Sequence, residues 1–587
     1  MSYLERKSNK IDNEHLRIRL FALGFTFVGF VILCRLMMLM VFQHQFYTAL
    51  AAGSQEIYAK LFPKRGEIFL QDSRTKEEFP IAINRDYFLV YADTRKFETD
   101  DDVETVAEGL SEILEYNDEQ KLELFLKINK RDDPYEPIEK KIDEALKNKI
   151  EEKDFKGIGF VRTSHRYYPE EELAAQTIGF VGKNEEGQNV GRYGIEGYWQ
   201  KELGGSGGFF EGAKSASGGW IPLAGKSFSP SEDGADLLLT LDRTLQFKAC
   251  EQLEKSRIEY EAQSASLIIM NPKNGAILSM CSLPAFSPNR YNEVASVNNF
   301  NNTNIFTPYE PGSIFKPIAM AAALNEELIT PSTYFYDTGV SQEHCDTPIK
   351  NAAEQVFKEQ TMVGVLENSI NTGMVNVVER LGKNRFRDYI EKFGFGTKEG
   401  IELDTEVSGT VESLYRNKKD KVDCYTATAS FGQGITATPL QMVTAFGAIA
   451  NGGTMMKPFI VEEVRYKNGK LEKIQPTIIR EVISKRASSL VGGMMVSVID
   501  SGQAGSAAVE GYYIAGKTGT AQIADRGGYS EETNHSFIGF GPVDDPKFVM
   551  IIKFEKPQRR FSVSTAAPTF GKIAKFILDY YQVPPGR

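Results

Sequence analysis

Histidine and cysteine are both scarce in this chain, five of each among 587 residues, and each scarcity removes a class of chemistry. Cys34, Cys250, Cys281, Cys345 and Cys424 are odd in number, widely spaced and form no CxxC pair. Their spacing indicates neither a zinc ribbon nor a disulfide framework, so they read as small buried hydrophobes. A Ser/His/Asp hydrolase would have to be assembled from His15, His44, His165, His344 and His535 alone. Positive charge is also short: 68 Lys and Arg stand against 79 Asp and Glu, a net charge of -11. That balance argues against a polyanion as main ligand, and no nucleic acid is expected. No internal repeat recurs at a fixed period. His344-Cys345-Asp346, with Asp337 upstream, gathers metal-ligating types without regular ligand spacing, so it reads as an ordinary loop. No cofactor and no metal are expected.

What is present begins with length. A chain of 587 residues exceeds what one hydrophobic core organises, which predicts two or three folded units. Leu20 to Phe42, LFALGFTFVGFVILCRLMMLMVF, is long enough for a bilayer-spanning helix, which needs about 20 residues at roughly 1.5 Å each. Arg35 alone interrupts it, and its charge must snorkel or face a partner helix. Arg6, Lys7, Lys10, Arg17 and Arg19 precede the run and no Lys or Arg follows before Lys60, so the N-terminus is expected in the cytoplasm. A cleaved signal peptide ending near Ala49-Leu50-Ala51 is the competing reading, but the apolar run exceeds a usual signal core. A buried soluble helix is the other, and the charge asymmetry argues against it.

Downstream, KRGEIFLQDS and IAINRDYFLVYAD read as short β-runs, followed by a charged stretch of helical spacing from Asp100 to Asp154 that reads as a solvated face. A glycine- and serine-rich passage to about Gly234 precedes a change of composition. From LLLTLDRTLQ (237–246) the pattern runs helix, β-hairpin (SASLIIMNPKNGAILSM), a long helical block, β-runs near 512–523 and 537–554, and a helix from about Phe570 to Tyr581. Strands framing helices predict an α/β layered domain. The expected division is 1–19 cytoplasmic tail, 20–42 transmembrane helix, 43–236 extracytoplasmic pedestal and interaction domain, and 237–587 catalytic domain.

Within YEPGSIFKPIAMAAAL (309–324), Pro317 is tolerated only near a helix start, so Ser313 is expected in the first turn. Three residues on, Lys316 shares its face, close enough for the amine to reach the hydroxyl. Serine is a poor nucleophile until a base takes its proton, and lysine can do so only when neutral. Ile314, Phe315, Ile318, Ala319 and Met320 supply an apolar surround that lowers the lysine pKa, and a second cation would lower it further. Backbone N–H groups at the helix start could hold an oxyanion. S-x-x-K is not specific by itself, since Ser73 and Lys76 also match, although in a polar run. Ser369-Ile370-Asn371 has a spacing that shares no helix face and is expected in a turn between helices. Lys517-Thr518-Gly519-Thr520 is the single KTG in the chain. Its lysine and hydroxyls suit a carboxylate, and Gly519 would let a substrate backbone lie along an edge strand.

Taken in this order, S-x-x-K, S-x-N and K-T-G resemble the signature of the penicillin-binding proteins and serine β-lactamases. The chain as a whole resembles class B penicillin-binding proteins, the monofunctional peptidoglycan transpeptidases. The likeness extends through KRGEI, RYYP, AAQTIGFVG, GRYGIEGYWQKELGG, DGADLLLTLDRTLQ, MNPKNGAILSMCSLPAFSPNRY, EPGSIFKP, SFGQGITATPLQMVTAFGAIANGG, KTGTAQ and IGFGPVDDP. It implies an α/β (α+β) transpeptidase domain of the penicillin-binding/serine β-lactamase type behind a mixed α/β pedestal of dimerisation type. It implies that Ser313 is acylated, Lys316 is its base, Ser369 relays protons and Asn371 positions the donor peptide. Lys517, Thr518 and Thr520 would hold the substrate carboxylate, with the Thr520 N–H as second oxyanion donor and Lys517 as the cation near Lys316. Implied ligands are peptidoglycan stem peptides and β-lactams. A SEDS-type membrane glycosyltransferase and other cell-wall synthesis proteins are the implied partners, since no glycosyltransferase domain is recognisable here.

The chain departs from the family in one motif: relatives carry R-G-x-I-x-D-R-x-G where this sequence has RGEIFLQDSRTKEEF. GRYGIEG, with no longer insertion before it, favours a division or sporulation type over an elongation type. A D,D-carboxypeptidase or β-lactamase of the same fold, and a penicillin-binding scaffold or sensor with little turnover, are the alternative functions.

Overall fold

The computed structural model describes residues 63–185, 187–210, 228–229, 231–417, 420–525 and 528–587, with a few positions between 23 and 37. The chain divides into two compact units. The smaller, Met1–Lys64 with Gly205–Gly234, contains a short antiparallel pair, Phe209–Phe210 with Phe228–Ser229. The larger, Arg65–Gly204 with Ala235–Arg587, holds every feature that follows. Most of the 20–42 run expected to span a membrane lies outside the described residues, and among the described residues no helix is long and apolar enough to cross one.

The two predicted β-runs form β1 (Ile68–Gln71) and β2 (Glu78–Ala92), paired antiparallel. The charged stretch after them is helical in three segments with a strand between. It folds as α1 (Asp100–Ile113), α2 (Asp118–Ile128), β3 (Glu136–Ile142) and α3 (Glu144–Glu151). Thr99 with Asp102 and Asn117 with Gln120 close capping boxes that start the first two helices. Their charges point outward while Val103, Val106, Leu110, Leu124 and Ile128 bury against β2 in a small separate core. β4 (Ile158–Tyr167) pairs with β2 along its other edge.

Three residues from separate family-like motifs explain why those motifs occur together. Glu196 of GRYGIEG is fully buried and accepts from Arg65 of KRGEI (Nε to Oε2, 2.7 Å) and from Arg166 of RYYP (Nε to Oε1, 2.7 Å). A buried carboxylate is tolerated because two guanidinium groups neutralise it.

The remainder supplies β5 (Asp236–Asp242), α4 (Arg243–Glu259) and the hairpin β6 (Ser264–Met270) and β7 (Ile277–Leu283). Helices α5 (Lys316–Asn325), α6 (Met362–Glu367), α7 (Asn371–Leu381) and α8 (Pro439–Ala450) follow. Then come β8 (Val461–Arg465), β9 (Leu471–Lys473), α9 (Lys485–Asp500), β10 (Ala515–Asp525), β11 (Gly528–Gly541), β12 (Phe548–Glu555) and α10 (Ala566–Tyr580). One sheet runs β9–β8–β5–β1–β2–β3 with β4 also on β2, so it mixes strands from both ends of the chain. The other is antiparallel in the order β7–β6–β12–β11–β10. α4 and α10 cover one face of this second sheet, and α8 and α9 cover the other. That double cover is why SASLIIM and FVMIIKFE are nearly continuous apolar runs. α5 packs on α7 and α9, and its residues 316–324 are all buried, as an all-round apolar helix requires.

The cysteine expectation needs correction. Cys250–Cys281 and Cys345–Cys424 are disulfides, with sequence separations of 31 and 79 residues. Spacing could not show this, because the partners meet only when β7 folds beside α4 and when the 341–346 loop meets the helix Cys424–Ala429. Cys34 lies outside the described residues.

Candidate active site

Ser313 sits in a 3-10 turn, Gly312–Phe315, that runs directly into α5 at Lys316. This turn is tighter than the α-helical first turn expected, and Pro317 follows where a missing N–H breaks no helical bond. Gly312 has φ +59°, a conformation that disfavours side chains.

Lys316 is fully buried, yet its bonds do not go to Ser313. Its Nζ donates to the Ser369 carbonyl at 2.5 Å and to Ser369 Oγ at 3.1 Å. Lys517 Nζ reaches the same Oγ at 3.1 Å, together with Thr518 O at 3.3 Å and Thr518 Oγ1 at 3.4 Å. The three motifs thus meet at the Ser369 hydroxyl, with the Ser313 turn packed alongside. Burial, reinforced by the charge of Lys517, pushes the Lys316 amine well below its ordinary value. Burial lowers Lys517 to about 7. One neutral amine and one cation around a hydroxyl is the arrangement these two shifts describe.

Ser369 lies in the expected turn between α6 and α7, at φ +56°, uncommon outside glycine. The turn is held from behind by Asn351, whose Oδ1 accepts from the N–H groups of Asn371 (3.0 Å) and Thr372 (3.2 Å). Asp337 in turn fixes Asn351, accepting from its Nδ2 at 2.9 Å, and also takes Gly339 N–H, Phe357 N–H and the Thr372 hydroxyl. Burial alone would raise the Asp337 carboxyl, but these donors hold it below its ordinary range. Its acceptor sites are therefore spent on the turn. Cys345 is likewise committed to its disulfide, and His344 lies 2.6 Å from Glu379. Glu343, His344 and Glu379 bring ligand-type atoms within 4.8 Å of one another, a grouping different from the His344-Cys345-Asp346 run. Asn351 carried no local signal in the sequence, since its role depends on a contact with residues twenty positions away.

Asn371 touches neither lysine. Its Nδ2 donates to Lys350 O at 2.9 Å, so it reaches the cluster only through the backbone of the turn. KTG lies on β10, the edge strand, as expected. The structural demand on Gly519 is different from the one inferred. A Cβ there would lie 2.6 Å from Ser536 Oγ, 2.9 Å from Ile314 Cγ2 and 3.1 Å from Pro311 O. The missing side chain lets the Ser313 turn pack against β10. Thr520 faces His535 in register, and its hydroxyl bonds to Ser562.

A hydroxyl on a helix-entry turn, a buried amine, a second hydroxyl bonded to it and a second amine on an edge strand together suit acyl transfer. The family model for the penicillin binding protein transpeptidase domain matches residues 265–575, and that for the penicillin-binding protein dimerisation domain matches 60–239. The chain belongs to the class B penicillin-binding protein family. This penicillin-binding protein is 33% identical over 595 residues to Stage V sporulation protein D of Bacillus subtilis, covering 98% of this chain and 88% of the relative. It is 29% identical over 583 residues to a protein named peptidoglycan D,D-transpeptidase FtsI homolog from Mesostigma viride, covering 94% of each. Among solved structures, penicillin binding protein 2X of Streptococcus thermophilus aligns at TM-score 0.74 and 22% identity, over 89% of this chain and 81% of that one. Penicillin binding protein 3 of Mycobacterium tuberculosis, complexed with aztreonam, aligns at 0.68 and 23%, over 90% and 98%. At these identities the structural likeness speaks for the fold: a transpeptidase domain behind an N-terminal dimerisation domain.

Proposed function

We propose that this chain is a peptidoglycan D,D-transpeptidase in which Ser313 is the acylated nucleophile. The convergence of Lys316 and Lys517 on Ser369 Oγ carries the reading. Neutral Lys316 receives the Ser313 proton, with the Ser369 hydroxyl as relay, while Ser313 Oγ attacks the carbonyl of the penultimate D-Ala of a stem peptide. The N–H groups of Ser313 and Thr520 hold the tetrahedral oxyanion. The C–N bond to the terminal D-Ala breaks, and the proton held by the lysine passes to the departing amine. An amine on a neighbouring strand then attacks the ester, forming the cross-link and returning the proton to Ser313. Lys517, Thr518 and Thr520 hold the donor's terminal carboxylate, and Asn371 orients its peptide. β-Lactams acylate the same oxygen.

The names of the relatives support this chemistry. The positive flank of the 20–42 run supports single-pass anchoring in the bacterial cell membrane with the catalytic domain outside, and the bounds of the two family models, 60–239 and 265–575, support a division at about residue 236. A membrane glycosyltransferase of the SEDS type is the proposed partner, because strand polymerisation must be supplied by another protein.

The test is labelling of the full-length protein in detergent with a fluorescent penicillin. Covalent label on wild type, lost in Ser313→Ala, is expected, with an acyl-enzyme lasting many minutes. Clearance within seconds would favour the hydrolase alternatives. Full cellular function of Ser313→Ala would favour a scaffold.

A further inference from the structure

The hydroxyl of Thr520 is engaged from behind. Its Oγ1 receives the Ser562 backbone N–H at 3.1 Å and lies 3.1 Å from Ser562 Oγ. Ser562 is only 2% exposed, in the short turn Ser562–Ser564 that precedes α10. Its carbonyl accepts the Thr565 N–H at 3.1 Å. Thr565 Oγ1 lies 2.9 Å from His535 Nδ1, and His535 Nε2 lies 3.1 Å from Thr533 Oγ1. His535 is the residue directly opposite Thr520 across β10 and β11. A chain of hydrogen bonds therefore runs from Thr520 through Ser562 and Thr565 to His535, which stands in register with Thr520 across the two strands. Burial lowers the His535 pKa to about 4, so the imidazole is a neutral link.

A hydroxyl has one proton and two lone pairs. The Thr520 hydroxyl donates its proton to Ser562 Oγ. To bind a carboxylate the proton must turn outward, which strips Ser562 Oγ of a donor. Along the same 3.1 Å line the Ser562 hydroxyl can then donate back to Thr520 Oγ1. Two donors of one buried residue would then converge on the Thr520 oxygen, and cooperative polarisation strengthens its outward bond. Alanine at 562 would keep the N–H contact and remove the returning one.

We propose that Ser562 is a positioning residue for carboxylate recognition, orienting the Thr520 hydroxyl and replacing its proton when the carboxylate of a stem peptide or β-lactam arrives. The proposal rests on the transpeptidase function above, and it assigns no contact between Ser562 and substrate.

The experiment measures the second-order rate constant for acylation of Ser313 in the full-length protein by benzylpenicillin and by its methyl ester, which lacks the charge. Ser562→Ala lowers the acid rate about 5- to 20-fold, the loss of one hydrogen bond to a charge-binding group. It leaves the ester rate within about twofold, as for an uncoupled position. Ser562→Thr, which keeps a hydroxyl, recovers most of the acid rate. Adding Ser562→Ala to Thr520→Ala costs nothing further, because the two act through one oxygen. An equal fall for acid and ester in Ser562→Ala, or no fall in either, would overturn the proposal while leaving the transpeptidase reading intact. Absence of Ser313 acylation in the wild type would overturn that reading and the proposal with it.

Discussion

Lys316 and Lys517 each place Nζ 3.1 Å from a single oxygen, Ser369 Oγ. Among the described residues, the hydrogen bonds of both amines go to hydroxyls and carbonyls and none to a carboxylate. Two buried amines without a counter-ion cannot both stay charged at low cost. Burial and the charge of Lys517 push Lys316 toward the neutral form, while Lys517 titrates at about 7, and the proposed division into a base and a cation builds on that difference.

The pH dependence of acylation should show that division. Lys517 must be charged to attract a carboxylate, and it loses its proton at about 7 in the free protein. The rate constant for benzylpenicillin should therefore fall as pH rises beyond that value. Lys316, which must be neutral, sets the fall on the acid side. Lys517→Arg keeps its charge and should lose the basic limb. A wild-type rate that climbs steadily to pH 9 would contradict the assignment.

Stability should move in the opposite sense to activity. Unfolded, Lys517 holds its proton up to the ordinary 10.5, whereas folded it releases it at about 7. Between those values the unfolded chain binds more protons, so stability rises with pH across that window. Lys517→Met removes the burden and should stabilise the protein at neutral pH by about 1 to 3 kcal/mol. Thermal melts from pH 7 to 10 should show a flatter slope for the variant, with penicillin labelling abolished.

Glu196 should be the most costly single truncation in the pedestal. Glu196→Ala leaves Arg65 and Arg166 facing each other in a buried site, a loss of about 3 to 5 kcal/mol in denaturant titration. Burial alone would raise the Glu196 carboxyl, but Arg166 and Arg65 outweigh it and lower it. Its contribution is thus complete above the unfolded value of 4.5 and is lost as pH falls through the lower folded value. A midpoint unchanged by the substitution would show that the clamp is dispensable.

The two disulfides should differ in worth. Cys345–Cys424 closes a longer loop than Cys250–Cys281, 79 against 31 residues. Chain entropy makes the longer closure more stabilising by about 1 kcal/mol, within a total of about 2 to 4 kcal/mol each. Urea midpoints of Cys345→Ser and Cys250→Ser, compared without reductant, test the order.

Parts of the fold were legible before any coordinates. The β-runs around residues 68 and 82, the hairpin at 264–283 and the closing helix all formed, with ends shifted by a few residues. The charged stretch from 100 to 154 showed its helical spacing and solvated charges, but its apolar positions are too few to advertise the small core that β2 completes. Asp337 illustrates the same gap at the site: the sequence places it upstream of an ordinary loop, and its neighbours make it a support for the Ser369 turn.

Local rules decided what lies within one turn or one strand. Pro317 placed a helix start, Ser369-Ile370-Asn371 required a bend, and KTG sat in an extended run, because backbone geometry over a few residues depends only on those residues. The contacts that make a site span 53 residues from Lys316 to Ser369 and 148 from Ser369 to Lys517. Only the packing of α5, the α6–α7 turn and the edge strand brings these groups to one oxygen. The pKa shifts, the cysteine pairs, the Gly519 contact and the Ser562 hydrogen bonds all arise from that packing, since burial and distance are properties of the assembled layers.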